Sequence, residues 1–324
     1  VPANDRISMV AATDPDYDEV GTDLRTATTT EFSGDYDEPT AIIEGEEIKG
    51  YGRERTARVI NTMLKEAEEE GRLDEEISEY SWKVVSENYF PTKAGLASSA
   101  SGFAALVRSV DSALDLDYTQ KELGRYARIG SGSAMGGLHD GIVYGHSPKY
   151  KEERAVPEQL ASPDEIDLGM IVAVVSRDKK EVGSSAGHGS ADTSRLHDGP
   201  VSKADRSDEN AILMREAVLE NNVELVGEIA EQDSELMHSV MRTSNPPLVY
   251  SQPETGIVKG KIMARRAEGK PIYFSQDAGP SLKVITTVEN KKETKEFLDE
   301  IPEVEEAIPV VPGKGARELN KHLF

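Results

Sequence analysis

Residues 91–107 read PTKAGLASSASGFAALV, and this run of small side chains constrains the chain more than any other segment. Before it, residues 82–90 (WKVVSENYF) are rich in β-branched and aromatic types with partial alternation, which predicts a strand. After it, Phe103, Val107, Val110 and Leu114 recur at helical spacing, with Arg108 and Asp111 on the other side. That pattern predicts an amphipathic helix, capped by Ser98 or Ser99. A small-residue loop between a strand and a helix lets a backbone approach a polyphosphate, and the N–H groups and helix dipole at Ser98, Ser99 and Ala100 attract negative charge. It is not a Walker loop, because no GKS or GKT follows.

Composition narrows the ligand class. The 324 residues carry 37 Lys and Arg against 60 Asp and Glu, a formal net charge of -23. The acidic positions are spread along the chain, so nonspecific attraction to nucleic acid or an anionic membrane is disfavoured, and an anionic substrate needs a local pocket of donors. Such a coat suits a salt-rich, halophilic cytoplasm, where ions screen self-repulsion. No window approaches the roughly 18 apolar residues of a membrane span, and the start has no signal-peptide layout, so a cytoplasmic protein is expected. The absence of cysteine excludes thiolate nucleophiles, disulfides and Cys-ligated zinc or iron–sulfur sites. A hydrophobic share of 37% suffices for real cores, and the length predicts two domains, at residues 1–165 and 166–324.

Further strands are predicted at 26–32, 168–176, 273–275, 282–288 and 307–311. Helices are predicted at 53–71, 121–128 and 291–301, with one or two long helices within 210–241. Residues 168–176 (LGMIVAVVS) are apolar almost throughout, as in a strand buried on both faces. Residues 150–166, with Pro157 and Pro163, read as an exposed connection, and the Gly/Ser-rich stretch 183–208 as a loop or lid. The alternating elements place the chain in the α/β (α+β) class.

The loop at 91–107 resembles the phosphate-binding motif of the GHMP kinase superfamily, in the form found in mevalonate diphosphate decarboxylases. Other segments agree in order and spacing. VPANDRISM at 1–9 resembles that family's early Pro-x-Asn-x-x-Ile-Ser strand, and ARIGSGSA at 127–134 its second Ser/Gly loop. MHSVMRTSNPPLVY at 237–250 resembles its helix and Pro-Pro loop, and QDAGPS at 276–281 its Asp-Ala-Gly-Pro turn. The resemblance spans nearly the whole chain. It implies a two-domain GHMP kinase fold, with a ribosomal-S5-like N-terminal ATP-binding domain, a ferredoxin-like C-terminal domain and the active site in the cleft between them. It also implies an ATP-dependent decarboxylation in the mevalonate pathway of isoprenoid biosynthesis. ATP phosphorylates a tertiary 3-hydroxyl, phosphate leaves, and loss of CO2 from the developing cation gives an isopentenyl phosphate.

On this resemblance Gly95, Leu96, Ala97, Ser98, Ser99 and Ala100 hold the ATP phosphates, and Ser99 reaches Mg2+ through ATP. Asp277 matches the catalytic Asp, which accepts or orients the hydroxyl proton. Ser131, Gly132, Ser133, Ser184 and Ser185 are expected at the substrate, and Ser86, Asn88 and Tyr89 at the nucleotide.

Two departures bear on specificity. The family often has an arginine where this chain has Ser185, and normally has one after GSGSA-Cys, where this chain has Gly136. In the family such arginines lie near the substrate diphosphate, and losing their bidentate contacts weakens recognition of the more highly charged end. The expected substrate is therefore mevalonate 5-phosphate and the product isopentenyl phosphate, with Arg177, Lys179, Lys180 and His188 as other sources of charge. The alternatives are a diphosphomevalonate decarboxylase making isopentenyl diphosphate, a mevalonate-type kinase without decarboxylation, and a noncatalytic homologue. The family's first strand, with a Lys-Tyr-x-Gly-Lys-like motif, has no counterpart before Val1, so a segment upstream of it is expected.

Relatives in the family are commonly homodimers, although the residues do not fix that assembly here. The expected partner is a small-molecule substrate, with no nucleic acid and no membrane. Trp82 is expected in the core or a pocket wall. LHDG occurs at 138–141 and 196–199, but two His-Asp pairs without further ligands argue weakly for a metal.

Overall fold

Alternation along residues 81–88 sets the first sheet of the computed structural model, which describes residues 5–13, 24–74, 77, 80–90, 98–146, 157–176, 190–197 and 203–324. Strand β3 (Thr26–Ser33) pairs antiparallel with β6 (Ser81–Asn88), β6 runs parallel to β4 (Thr40–Ile43), and β5 (Glu46–Glu47) closes the sheet. Trp82, Val84 and Ser86 face inward along β6, so Trp82 lies in the core.

Three helices share that core: α1 (Tyr51–Glu69), α2 (Ser98–Leu114) and α3 (Gln120–Gly130). A reciprocal capping box of Thr119 and Glu122 starts α3. Its far end comes so close to α2 that a β-carbon at Gly130 would stand 2.0 Å from Phe103 Cδ1.

A second, antiparallel sheet contains β1 (Arg6–Met9), β7 (Ile142–Gly145) and β8 (Pro157–Ala161). Part of the expected exposed connection at 150–166 is therefore an edge strand, with Leu160, Ala161 and Ile166 buried. Proline at the first position of an edge strand loses no ladder hydrogen bond, which is why Pro157 fits there.

The third sheet is antiparallel throughout, in the order β10 (Tyr273–Gln276), β11 (Leu282–Thr287), β9 (Leu168–Val174), β12 (Glu306–Pro312) and β2 (Ala11–Ala12). The apolar run of β9 lies at its centre, with Ile171, Val172, Ala173 and Val174 buried. Around this sheet run α4 (Lys203–Leu219), α5 (Val223–Arg242), α6 (Pro253–Ala267) and α7 (Lys291–Asp299). The 210–241 pattern thus resolves into two helices, broken where Asn221 adopts φ +52 and Asn222 caps α5. Helix α6 was not anticipated from its charged sequence, but Pro253 at its first turn and Val258 and Ile262 buried within it explain it.

The halves are stitched together by β2 on β12 and by backbone bonds from Gly313 to Val10 and from Gly141 to Gly313, both 2.8 Å. This arrangement of mixed sheets and helices agrees with the expected α/β (α+β) class. Among the described residues, no helix is long and apolar enough to cross a membrane.

Gly130→Ala is expected to cost roughly 1–3 kcal/mol through overpacking against Phe103. Urea unfolding in high salt measures this, and Phe103→Leu in the same chain should recover part of the loss. An unchanged midpoint for Gly130→Ala would contradict the close approach.

Candidate active site

The contact of α2 with α3 has a chemical consequence. With Gly130 against Phe103, the loop after α3 reaches the first turn of α2, and the hydroxyls of Ser99 and Ser131 stand 3.3 Å apart. Ser98, Ser99 and Ser133 are exposed, while Ala100, Ser131 and Gly132 are half-buried. The two small-residue motifs, separate in sequence, therefore meet at a helix N-terminus, where free N–H groups and hydroxyls suit an anion.

Hydroxyls also hold α2 on its sheet. Ser101 donates to Thr26 at 2.6 Å, Thr26 to Asn88 at 2.8 Å, and Ser109 to Thr30 at 2.7 Å. Ser86 bonds Thr28 at 2.9 Å. Ser86 and Asn88, expected beside the nucleotide, are thus engaged within the sheet. Tyr89 donates to Glu87 at 2.5 Å, and that bond, with burial, pushes its phenol up to about 12.

Beside the serines, a cavity of about 540 Å3 opens between β1, β2, β3, α2 and the C-terminal residues 314–323. Ser101, Ser133 and Gly136 reach its wall. In a chain of net charge -23 that wall carries Arg25, Arg108, Lys314, Arg317 and Lys321 against Glu318, a reversal of the surface charge that favours an anion nearby. Asp277 does not line this cavity.

Asp277 follows β10 in the turn to β11, and its side chain is 62% exposed. Lys283 on β11 forms an ion pair with its carboxylate. Behind the turn a buried network fixes the backbone. Ser234 Oγ donates to the Gln276 carbonyl at 3.0 Å, and His238 Nε2 to the same oxygen at 3.1 Å. Gln276 N–H donates to Ser234 at 2.8 Å, and its side-chain amide to the Gly279 carbonyl at 2.8 Å. Ser251 donates to Gln276 Oε1 at 3.1 Å and Thr255 to the Pro280 carbonyl at 2.9 Å. An exposed carboxylate on a turn braced by buried hydrogen bonds is suited to meet a substrate hydroxyl without reorganising.

Lys283 and His238 were not singled out from the sequence. The signal for Lys283 was period-two alternation, which puts it opposite Ser275 at the strand end nearest Asp277. His238 gave no local signal, because its partner lies on another element.

Gly95, Leu96, Ala97, Arg177, Lys179, Lys180, Ser184, Ser185 and His188 lie outside the described residues. Asp140 of the first LHDG accepts a bond from Gly315 N–H at 2.8 Å, a role in joining chain segments. Among the described residues there is no group of three or more His, Cys, Asp or Glu able to hold a metal ion.

Two family descriptions match the chain: a diphosphomevalonate decarboxylase-like N-terminal domain at residues 1–155 and a mevalonate 5-diphosphate decarboxylase C-terminal domain at 170–319. A phosphomevalonate decarboxylase of Haloferax volcanii is 30% identical over 299 residues, covering 92% of this chain and 84% of that protein. A diphosphomevalonate decarboxylase of Debaryomyces hansenii is 31% identical over 302 residues, covering 90% and 74%. The crystal structure of mevalonate diphosphate decarboxylase from Staphylococcus aureus superposes with a TM-score of 0.79 at 26% identity, covering 96% of each chain. A structure of the Enterococcus faecalis enzyme, concerned with mevalonate diphosphate mediated ATP binding, gives 0.75 at 26% identity, covering 96% and 97%.

Burial, and secondarily Lys259, hold the His238 imidazole below its ordinary value. Below about pH 6.5 the unfolded chain takes up a proton that the folded form resists, so stability is retained above that pH and lost as pH falls. His238→Gln should flatten this acid slope, measured as urea midpoints at about pH 5.5 and 7.5. An unchanged slope would contradict the neutral, buried imidazole.

Proposed function

The chain belongs to the mevalonate diphosphate decarboxylase family, and on that premise we propose that it decarboxylates mevalonate 5-phosphate to isopentenyl phosphate, using ATP and Mg2+ and releasing ADP, phosphate and CO2. Membership makes it an enzyme of the decarboxylase type that acts on a phosphorylated mevalonate. The monophosphate, and the role of each residue, are the proposal.

A tertiary alcohol is a poor leaving group until phosphorylated, so the residues have two tasks: to align the phosphoryl donor with the 3-hydroxyl, and to handle that hydroxyl's proton. The first turn of α2, with Ser98, Ser99 and Ala100, offers N–H groups and hydroxyls to the ATP phosphates. Gly95, Leu96 and Ala97 are assigned there on the resemblance. Ser99 and Ser131 present oxygen donors of the kind Mg2+ takes when most of its ligands are phosphates and water, so the serine pair fits a nucleotide-borne ion. Asp277 orients the 3-hydroxyl and takes its proton, and Lys283 keeps the carboxylate aimed for that step. Ser131, Gly132, Ser133, Ser184 and Ser185 are assigned to the substrate.

One observation carries the monophosphate reading. At position 136, where the family normally has an arginine, this chain has a buried glycine, and a β-carbon there would stand 3.0 Å from Ser8 Oγ. A side chain at 136 would crowd Ser8 on β1, and glycine supplies no guanidinium, so the second phosphate of a diphosphate loses a bidentate partner. The Haloferax volcanii relative, a phosphomevalonate decarboxylase, supports the same choice.

The full chain, assayed in high salt with ATP and Mg2+ on mevalonate, mevalonate 5-phosphate and mevalonate 5-diphosphate, should release CO2 together with ADP, with the highest kcat/KM on the monophosphate. Preference for the diphosphate would refute the specificity, and ADP without CO2 would make the protein a kinase. Asp277→Asn should lower kcat by about 100-fold or more while ATP affinity changes little, in line with general-base contributions. Near-normal turnover would remove Asp277 from the mechanism.

A further inference from the structure

Arg6 is a cation in an unusual place. On β1, Ile7 and Met9 pack into the core shared with α4 and α5, so the alternate residues Arg6 and Ser8 face the other side. Ser8 abuts Gly136, as the 3.0 Å approach to its Oγ shows. The Arg6 stem crosses Gly145, its register partner on β7: a β-carbon at 145 would stand 3.0 Å from both Arg6 Cγ and Met135 Sδ. Met135 and Gly136 lie in the single 3-10 turn that follows the Ser131–Ser133 loop. Arg6 therefore lies beside the turn that carries position 136, where the family's substrate arginine is missing.

Within the described structure Arg6 has no hydrogen-bond or ion-pair partner. Its neighbour Asp5 accepts instead from Tyr144. A half-buried guanidinium left in this state is costly, and proteins retain such groups where a ligand completes them.

We infer that Arg6, together with Arg128 at the end of α3, is the phosphate-binding pair for the substrate, replacing from β1 the arginine absent at Gly136. Arg128 stands three residues before Ser131 at the end of α3, and the Arg6 stem lies beside Met135 in the turn after that loop, so the two residues flank the substrate loop. Burial, followed by the charge of Arg128, holds the Arg6 guanidinium down to about 10, which marks two cations in one region. A phosphate monoester carries about -1.5 to -2 at neutral pH, enough to neutralise this pair, and each guanidinium can contact it through two N–H groups. One such pair matches one phosphate, so the inference rests on the monophosphate reading and supplies its physical basis.

The test compares Arg6→Met and Arg6→Lys with the wild-type full chain, by calorimetric Kd for mevalonate 5-phosphate and for ATP, and by melting temperature without ligand. Arg6→Met should weaken mevalonate 5-phosphate binding by about 10- to 100-fold, the loss expected for a charged hydrogen-bond partner. Arg6→Lys should keep part of the affinity, and ATP binding should stay within about twofold. The ligand-free melting temperature of Arg6→Met should be unchanged or higher, because a cation without a partner has been removed. A residue with a merely structural role would instead lower the melting temperature and leave the substrate Kd alone. An unchanged Kd, or an equal loss for ATP, overturns the inference. A wild-type protein that binds the diphosphate more tightly, with that binding lost in Arg6→Met, keeps the phosphate pair and refutes the monophosphate.

Discussion

The approach of α3 to α2, permitted because position 130 carries no side chain against Phe103, is the constraint on which the candidate site depends. It brings Ser131 to Ser99 across 32 residues of sequence. It also places the 3-10 turn with Gly136 against β1. Serines on α2 then replace bulk with hydroxyl bonds to the threonines of β3, so the helix carrying the anion-facing turn is fastened at both Ser101 and Ser109. Small residues let helices and strands pack closely enough to aim their polar groups, and under the proposed function they also admit a polyphosphate.

The C-terminal half meets a different requirement. Under the proposed role of Asp277, a carboxylate that handles a proton must be exposed yet immobile, and the turn after β10 is braced by buried partners from α5 and α6. Lys283 acts on the exposed side of the same turn. The division is one of physical roles: helix N-terminus, hydroxyls and arginines for charge in the N-terminal half, a clamped carboxylate in the C-terminal half.

Much of this was legible in the sequence wherever a local pattern had one physical solution. The alternation within residues 82–90, the apolar run at 168–176 and the helical spacing after Ser98 each gave the observed element within a few residues. Legibility failed where tertiary context decides. Pro157 suggested a connection, yet an edge strand tolerates it. The charged surface of α6 hid the buried Thr255, Val258 and Ile262 that anchor it. His238 and Lys283 carry no motif of their own, since their meaning comes from the carbonyl and carboxylate they meet. Arg6 lay inside a motif read for its Asn, Ile and Ser, and only the strand's facing showed that it lies beside the turn carrying Gly136.

An acidic chain that binds an anion must concentrate its few useful cations, and the account makes Arg6 and Arg128 that concentration at the substrate end. The measurement that tests this most directly is a crystal structure with mevalonate 5-phosphate bound. The account predicts phosphate oxygens within about 3 Å of the Arg6 guanidinium, and the 3-hydroxyl within hydrogen-bond reach of Asp277. A phosphate held elsewhere, with Arg6 turned away from it, would contradict the account.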